Sequence, residues 1–195
     1  MSNFAFLQPE WPLFFEAATK AEGLANTDAR ASCFYARRTL ELAVSWMYAN
    51  DKSLRQPYQD NLSAFIHEPT FKATVGEALF TKARLIKDLG NMAVHGAKKM
   101  APADALNATR ELFHVCYWLA RTYGRTHRPS PGQTFSLGLL PKASTEAPQS
   151  AEQLQQLEAR LKERDTALAA AHQHNAALDA ELQSLREVFR VAYVN

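Results

Sequence analysis

From Trp11 to Tyr123, apolar residues return every three or four positions, and no stretch alternates apolar with polar over a strand's length. One helix face recurs about every 3.6 residues and one strand face every second residue, so this rhythm points to helices. Trp11 to Leu24 reads as the first, with Gly23 near its end. Asn26-Thr27-Asp28 offers an N-cap to a long helix that runs to about Ala49. Its apolar face is Phe34, Leu40, Ala43, Val44 and Met47. Leu62 to His67 is a short helix stopped by Pro69, and Gly76 to Val94 is a long one. Leu79, Phe80, Ala83, Ile86 and Leu89 share a face of that helix, and Gly96 stands where a C-cap is expected. Pro102 suits the first turn of the next helix, which carries Leu106, Leu112, Phe113, Cys116, Leu119 and Tyr123. The expected fold is all-α, a bundle of about four main helices over residues 1–127.

Composition then changes twice. Residues 128–150 hold four of the nine prolines and read as a linker, within which Thr134 to Leu137 is expected as a short extended strand. Residues 151–195 contain neither Gly nor Pro and fit a heptad. Leu154, Leu161, Leu168, Asn175, Leu182 and Phe189 take the a positions. Leu157, Arg164, Ala171, Leu178, Leu185 and Ala192 take the d positions. This predicts a long coiled-coil helix, with Asn175 favouring a parallel two-stranded register and Arg164 weakening the seam. A single amphipathic helix folding back on the bundle is the other arrangement the pattern allows. A homodimer through the coiled coil is therefore one expected partnership.

Charge and motifs narrow the chemistry. The net charge is +2, and the first 150 residues carry 17 basic against 13 acidic side chains, so at most weak DNA contact is expected. No apolar run is long enough to span a bilayer, and the N-terminus lacks the basic opening of a secretory signal. Cys33 and Cys116 lie inside apolar helical patterns, as small buried hydrophobes in a reducing cytoplasm would. The sequence has no phosphate-loop motif, no G-x-G-x-x-G, no paired-cysteine zinc pattern, no H-E-x-x-H and no Asp…Glu-x-Lys nuclease core. No cofactor and no metal are expected. His172 and His174 are two apart on a helix and point to different faces.

One stretch stands out, Arg84 to Gly96. Gly90 lies inside a predicted helix at a cost of about 1 kcal/mol against alanine, so something must approach closely there. Lys87, Asn91 and His95 follow at i, i+4 and i+8 and form a polar line on one face. They are the candidate catalytic or phosphate-contacting residues. The alternative is that Asn91 and His95 satisfy buried groups at a helix packing point. Arg37 and Arg38 stand one helical turn before Glu41, either as a surface ion pair or as a partly buried pair that registers two long helices.

The ordered set SNFAFL, YARRTLELAVSWMY (Tyr35 to Tyr48), LIKDLGNMAVHG (Leu85 to Gly96) and FHVCYWLARTYG (Phe113 to Gly124), followed by a coiled coil, resembles the N-terminal helical region of the R subunit of type I restriction endonucleases, a region also found as a bacterial domain of unknown function. It is also similar to the HEPN group, many of whose members are metal-independent ribonucleases with an Arg-polar-x3-His motif. His95 matches that histidine and Asn91 the polar position, whereas the arginine slot is Gly90 and neither Arg84 nor Lys87 fills it. In the R subunit, the resemblance implies that a nuclease and an ATP-dependent helicase motor follow the coiled coil, and this chain stops before either. The ending EVFRVAYVN reads as an abrupt one, as of a truncated reading frame. The expected role is a non-catalytic accessory part that docks on other subunits of a type I restriction-modification complex. A HEPN-like ribonuclease and a stand-alone coiled-coil interaction module are the alternatives.

Overall fold

A computed structural model describes residues 2–96, 98–142 and 148–194, with side chains as far as Glu187. The described residues form helices and turns without a strand. The helices are α1 Pro12–Leu24, α2 Ala29–Asn50, α3 Leu62–His67, α4 Pro69–His95, α5 Pro102–Tyr123 and α6 Ala151–Val194. The chain divides into two compact units, Met1–Leu154 and Gln155–Asn195.

In the first unit α2 is central and packs against α1, α4 and α5. Its expected apolar face is buried throughout, at Phe34, Leu40, Ala43, Val44 and Met47. Phe80, Ala83, Ile86 and Leu89 of α4 and Leu112, Phe113, Cys116 and Leu119 of α5 close the core. Burying the leucine, isoleucine, valine, methionine and phenylalanine side chains among them stabilises by roughly 1.5–3 kcal/mol each against exposure. Asp28 caps α2, its side chain accepting from the Ala31 N–H at 3.0 Å. The opening residues join the same core. Phe4 and Phe6 pack edge-on against Phe113, with ring centroids 6.2 and 5.8 Å away. They are held there by Glu22, a buried α1 carboxylate that accepts from the Asn3 N–H at 2.9 Å, the Asn3 side-chain amide at 2.7 Å and the Ser2 hydroxyl.

Helix α4 begins seven residues before the expected start. Pro69 does not only end α3; it is the first residue of α4, where its missing N–H costs nothing. Glu68 caps the new helix by accepting from the Thr70 N–H at 2.6 Å. The expected start at Gly76 marks a joint instead. Gly76 has φ 77° and ψ 164°, a conformation suited to glycine, and it kinks α4 without ending it.

The proline-rich segment lies on the bundle over its described part. No strand forms at Thr134 to Leu137; a 3-10 turn occupies Leu137–Leu139. Ser136 makes the pairing a strand would have made, but with a side chain. Its N–H donates to Asn3 Oδ1 at 2.7 Å, and its carbonyl accepts from Asn3 Nδ2 at 3.0 Å. Phe135 packs tilted against Phe113, with ring centroids 5.9 Å apart, and Leu140 is buried. Trp11 is buried and meets Trp46 edge-on at 5.5 Å. Trp46 and Trp118 are only half-buried and reach the core's rim through Tyr123.

The second unit is the body of α6. At about 1.5 Å per residue, the 44 residues of α6 extend roughly 66 Å. Leu168, Leu178, Leu182 and Leu185 of the heptad are 45–51% exposed. The last heptad positions, Phe189 and Ala192, lie outside the described side chains. Among the described residues no helix is long and apolar enough to cross a membrane.

Candidate functional site

The stretch around Gly90 is where α2 and α4 come closest. A Cβ placed on Gly90 would lie 2.2 Å from Arg37 Cβ, 2.7 Å from its Cδ and 2.9 Å from its Cγ. The close approach expected from the sequence is therefore the stem of Arg37, the residue paired with Glu41. Arg37 Nη2 donates to Glu41 Oε1 at 2.8 Å, with the two side chains 12% and 21% exposed. The pair is partly buried, as the tighter of the two sequence readings held, and it sits at the helix crossing. Here a charge-assisted bond contributes more than the fraction of a kcal/mol of a surface pair.

One turn further on, Arg30 fastens the end of α4. Its guanidinium donates to the carbonyls of Ala93 at 2.5 Å, Gly96 at 3.0 Å and Lys98 at 2.7 Å. Those carbonyls stand at or beyond the helix end without an intrahelical partner, and a cation there also complements the negative end of the helix dipole. Gly96 itself is extended rather than left-handed, with its N–H bonded to Met92 O at 2.9 Å. The segment carrying the polar line is thus rigidly held from α2.

The three candidates are not drawn together on that line. Lys87 is largely buried and pairs with its neighbour Asp88 at 2.9 Å. Asn91 is half-buried and His95 is exposed. Neither makes a side-chain hydrogen bond among the described residues. A general base needs a partner that orients its ring, and a phosphate site needs converging donors. This line supplies neither. The side chain packed against the vacant arginine slot is the stem of Arg37, whose guanidinium pairs with Glu41.

A second polar cluster, absent from the sequence reading, joins α4 to α5. Lys82 Nζ pairs with Glu111 Oε2, His114 Nδ1 lies 3.0 Å from the same oxygen, and Lys82 Nζ lies 3.3 Å from His114 Nδ1. Burial raises the Glu111 pKa, and the bonds from Lys82 and His114 outweigh it, so the net shift is downward. Only the i, i+3 step from Glu111 to His114 was visible in the sequence; Lys82 is brought in by the α4–α5 packing. The cluster rims a groove of about 780 Å³ lined by Ala78, Thr81, Leu85 and Asp88. A smaller cavity of about 540 Å³ lies between the starts of α2 and α5, lined by Asp28, Arg30, Lys99 and Pro102. Thr27 Oγ1 and Gln149 Oε1 line it as well and are buried without a hydrogen-bond partner among the described residues, a setting suited to ordered water. Among the described residues no three His, Cys, Asp or Glu side chains gather as a metal site. His172 and His174 are exposed on α6. Cys33 and Cys116 are buried, unpaired thiols.

Residues 19–164 match the family model DUF4145, described as a domain of unknown function. No curated protein and no solved structure matches the chain.

Proposed function

We propose that this chain, which belongs to the DUF4145 family of domains of unknown function, is a non-catalytic docking module, with the helical bundle as its anchor and α6 as its arm. The observation that carries this reading is the leucine seam of α6, where Leu168, Leu178, Leu182 and Leu185 are each about half exposed. Such a stripe at heptad spacing is a protein-binding surface in search of a partner helix. The likeness of the ordered motifs to the R subunit suggests the partner class, the subunits of a type I restriction-modification complex. The modest basic excess of the first 150 residues fits weak, salt-sensitive contact with the DNA such a complex holds.

The test is co-purification. The tagged chain is mixed with the modification and specificity subunits of such a complex, and co-elution is expected. Leu178→Asp with Leu182→Asp is expected to abolish it while the bundle stays folded. ATP hydrolysis or DNA cleavage by the chain alone overturns the reading. Metal-independent RNA cleavage abolished by His95→Ala overturns it in favour of a ribonuclease.

A further inference from the structure

Residues beside the α6 seam carry a pattern that the seam alone does not explain. The e positions are Glu158, Asp165, His172, Asp179 and Arg186, and the described g positions are Gln153, Arg160, Ala167, His174 and Glu181. We infer that the seam is occupied by α6 of a second copy of this chain, parallel and in register. In a parallel pair each g residue faces the e residue five positions later on its partner. That sets Arg160 opposite Asp165, His174 opposite Asp179 and Glu181 opposite Arg186. Two of these pairs join opposite charges, and the third sets an imidazole beside a carboxylate. Twofold symmetry makes every pair twice.

The interruptions of the seam agree with this register. Asn175 at a meets its own copy, where two side-chain amides satisfy each other. Arg164 at d packs beside the partner's e position in the same layer, which is Asp165. The antiparallel pairing with fullest overlap breaks each match. It sets Asp165 against Asp179 twice, Arg164 against Leu182 and Asn175 against Ala171, and it gains only Glu158 with Arg186. Arg160, Asp179, Glu181 and Arg186 are all exposed. The inference rests on the docking reading's premise that the α6 seam is a protein interface and gives that seam to a second copy, so other subunits would dock on the outside of the paired helices or on the bundle.

The test uses the full chain with Leu161→Cys, a single thiol at an a position, since Cys33 and Cys116 are buried. In a parallel register the two engineered thiols fall within disulfide reach, at Cα separations of about 6 Å. In the antiparallel pairing they lie roughly 36 Å apart at about 1.5 Å per residue. A dimer by light scattering that oxidises to a covalent dimer is the expected result, and Leu168→Cys is expected to behave alike. Glu181→Arg is expected to weaken dimerisation on the order of tenfold, because it turns two attractive pairs repulsive. Adding Arg186→Glu restores it. A chain monomeric at every concentration, or a dimer that neither cysteine variant cross-links, overturns the inference. A monomer that still captures restriction-modification subunits refutes self-pairing and leaves the docking reading intact. A cross-linked dimer that captures none does the reverse.

Discussion

Gly90→Ala tests the crossing of α2 and α4. The added Cβ would sit 2.2 Å from Arg37 Cβ, where carbon atoms prefer about 3.5–4.0 Å. Arg37 Cβ moves only with its backbone, so no rotamer change relieves the clash. The helices must part by about 1.5 Å along a contact that buries Leu40, Val44, Ile86 and Ala93. Overpacking of this kind costs about 1–3 kcal/mol, and the need to move backbone places it at the upper end. Alanine gains back about 1 kcal/mol of helix propensity. The net expectation is a loss of about 2 kcal/mol, or a fall in Tm of about 4–8 °C for a unit of this size. Tryptophan fluorescence reports it, since Trp11 and Trp46 meet within the bundle. Gly23→Ala in α1 is the control. Nothing lies within 4 Å of its Cβ position, so the same substitution there is expected to be neutral or stabilising. Arg37→Gly removes the obstacle, and the double variant is expected to lose less than the sum of the two single losses. If Gly90→Ala raises Tm as Gly23→Ala does, the close approach is not what requires glycine.

Other outcomes follow from the same structure. Glu10 accepts from the N–H groups of Arg125, Thr126 and His127, and the Arg125 bond above all lowers its pKa from 4.5 to about 2. The folded value is the lower one, so its stabilisation is full above pH 4.5 and is lost as pH falls toward 2; Glu10→Gln should flatten that acid limb, and an NMR titration near 4.5 would contradict it. Burial pushes the Cys33 thiol up to about 12 and the Cys116 thiol up as well, so neither should react with a thiol reagent at mildly alkaline pH until denaturant is added. Arg30→Ala is expected to cost about 2 kcal/mol, since its charged bonds to carbonyls are lost, and to speed amide exchange at the end of α4; unchanged exchange there counts against the fastening. His95→Ala and Asn91→Ala should each change stability by no more than about 0.5 kcal/mol in chemical denaturation, because neither side chain is hydrogen-bonded among the described residues.

The helices were readable from the sequence because each one's signal is local. The spacing of Phe34, Leu40, Val44 and Met47 alone states which face of α2 is buried, and Asp28 states where the helix starts. The helical state of α6 was readable for the same reason, and so was the need for a close neighbour at Gly90. The identity of that neighbour was not, because Arg37 lies 53 residues earlier and only the antiparallel packing of α2 on α4 brings it there. Local chemistry also misled at Pro69, since a proline after a helix reads equally as a stop or as the first residue of the next. Whether Lys87, Asn91 and His95 form a site was a question of which groups converge from other elements. A spacing of i, i+4, i+8 aligns side chains along an axis without bringing partners to them. Tertiary structure brought the partners elsewhere, Lys82 to Glu111 and His114, Glu22 to Asn3, Arg30 to the end of α4. The sequence by itself thus determined the helices and their apolar faces, because those depend on neighbours within a turn. Only the packed structure decided which polar groups meet, because those contacts join positions 19 to 133 residues apart.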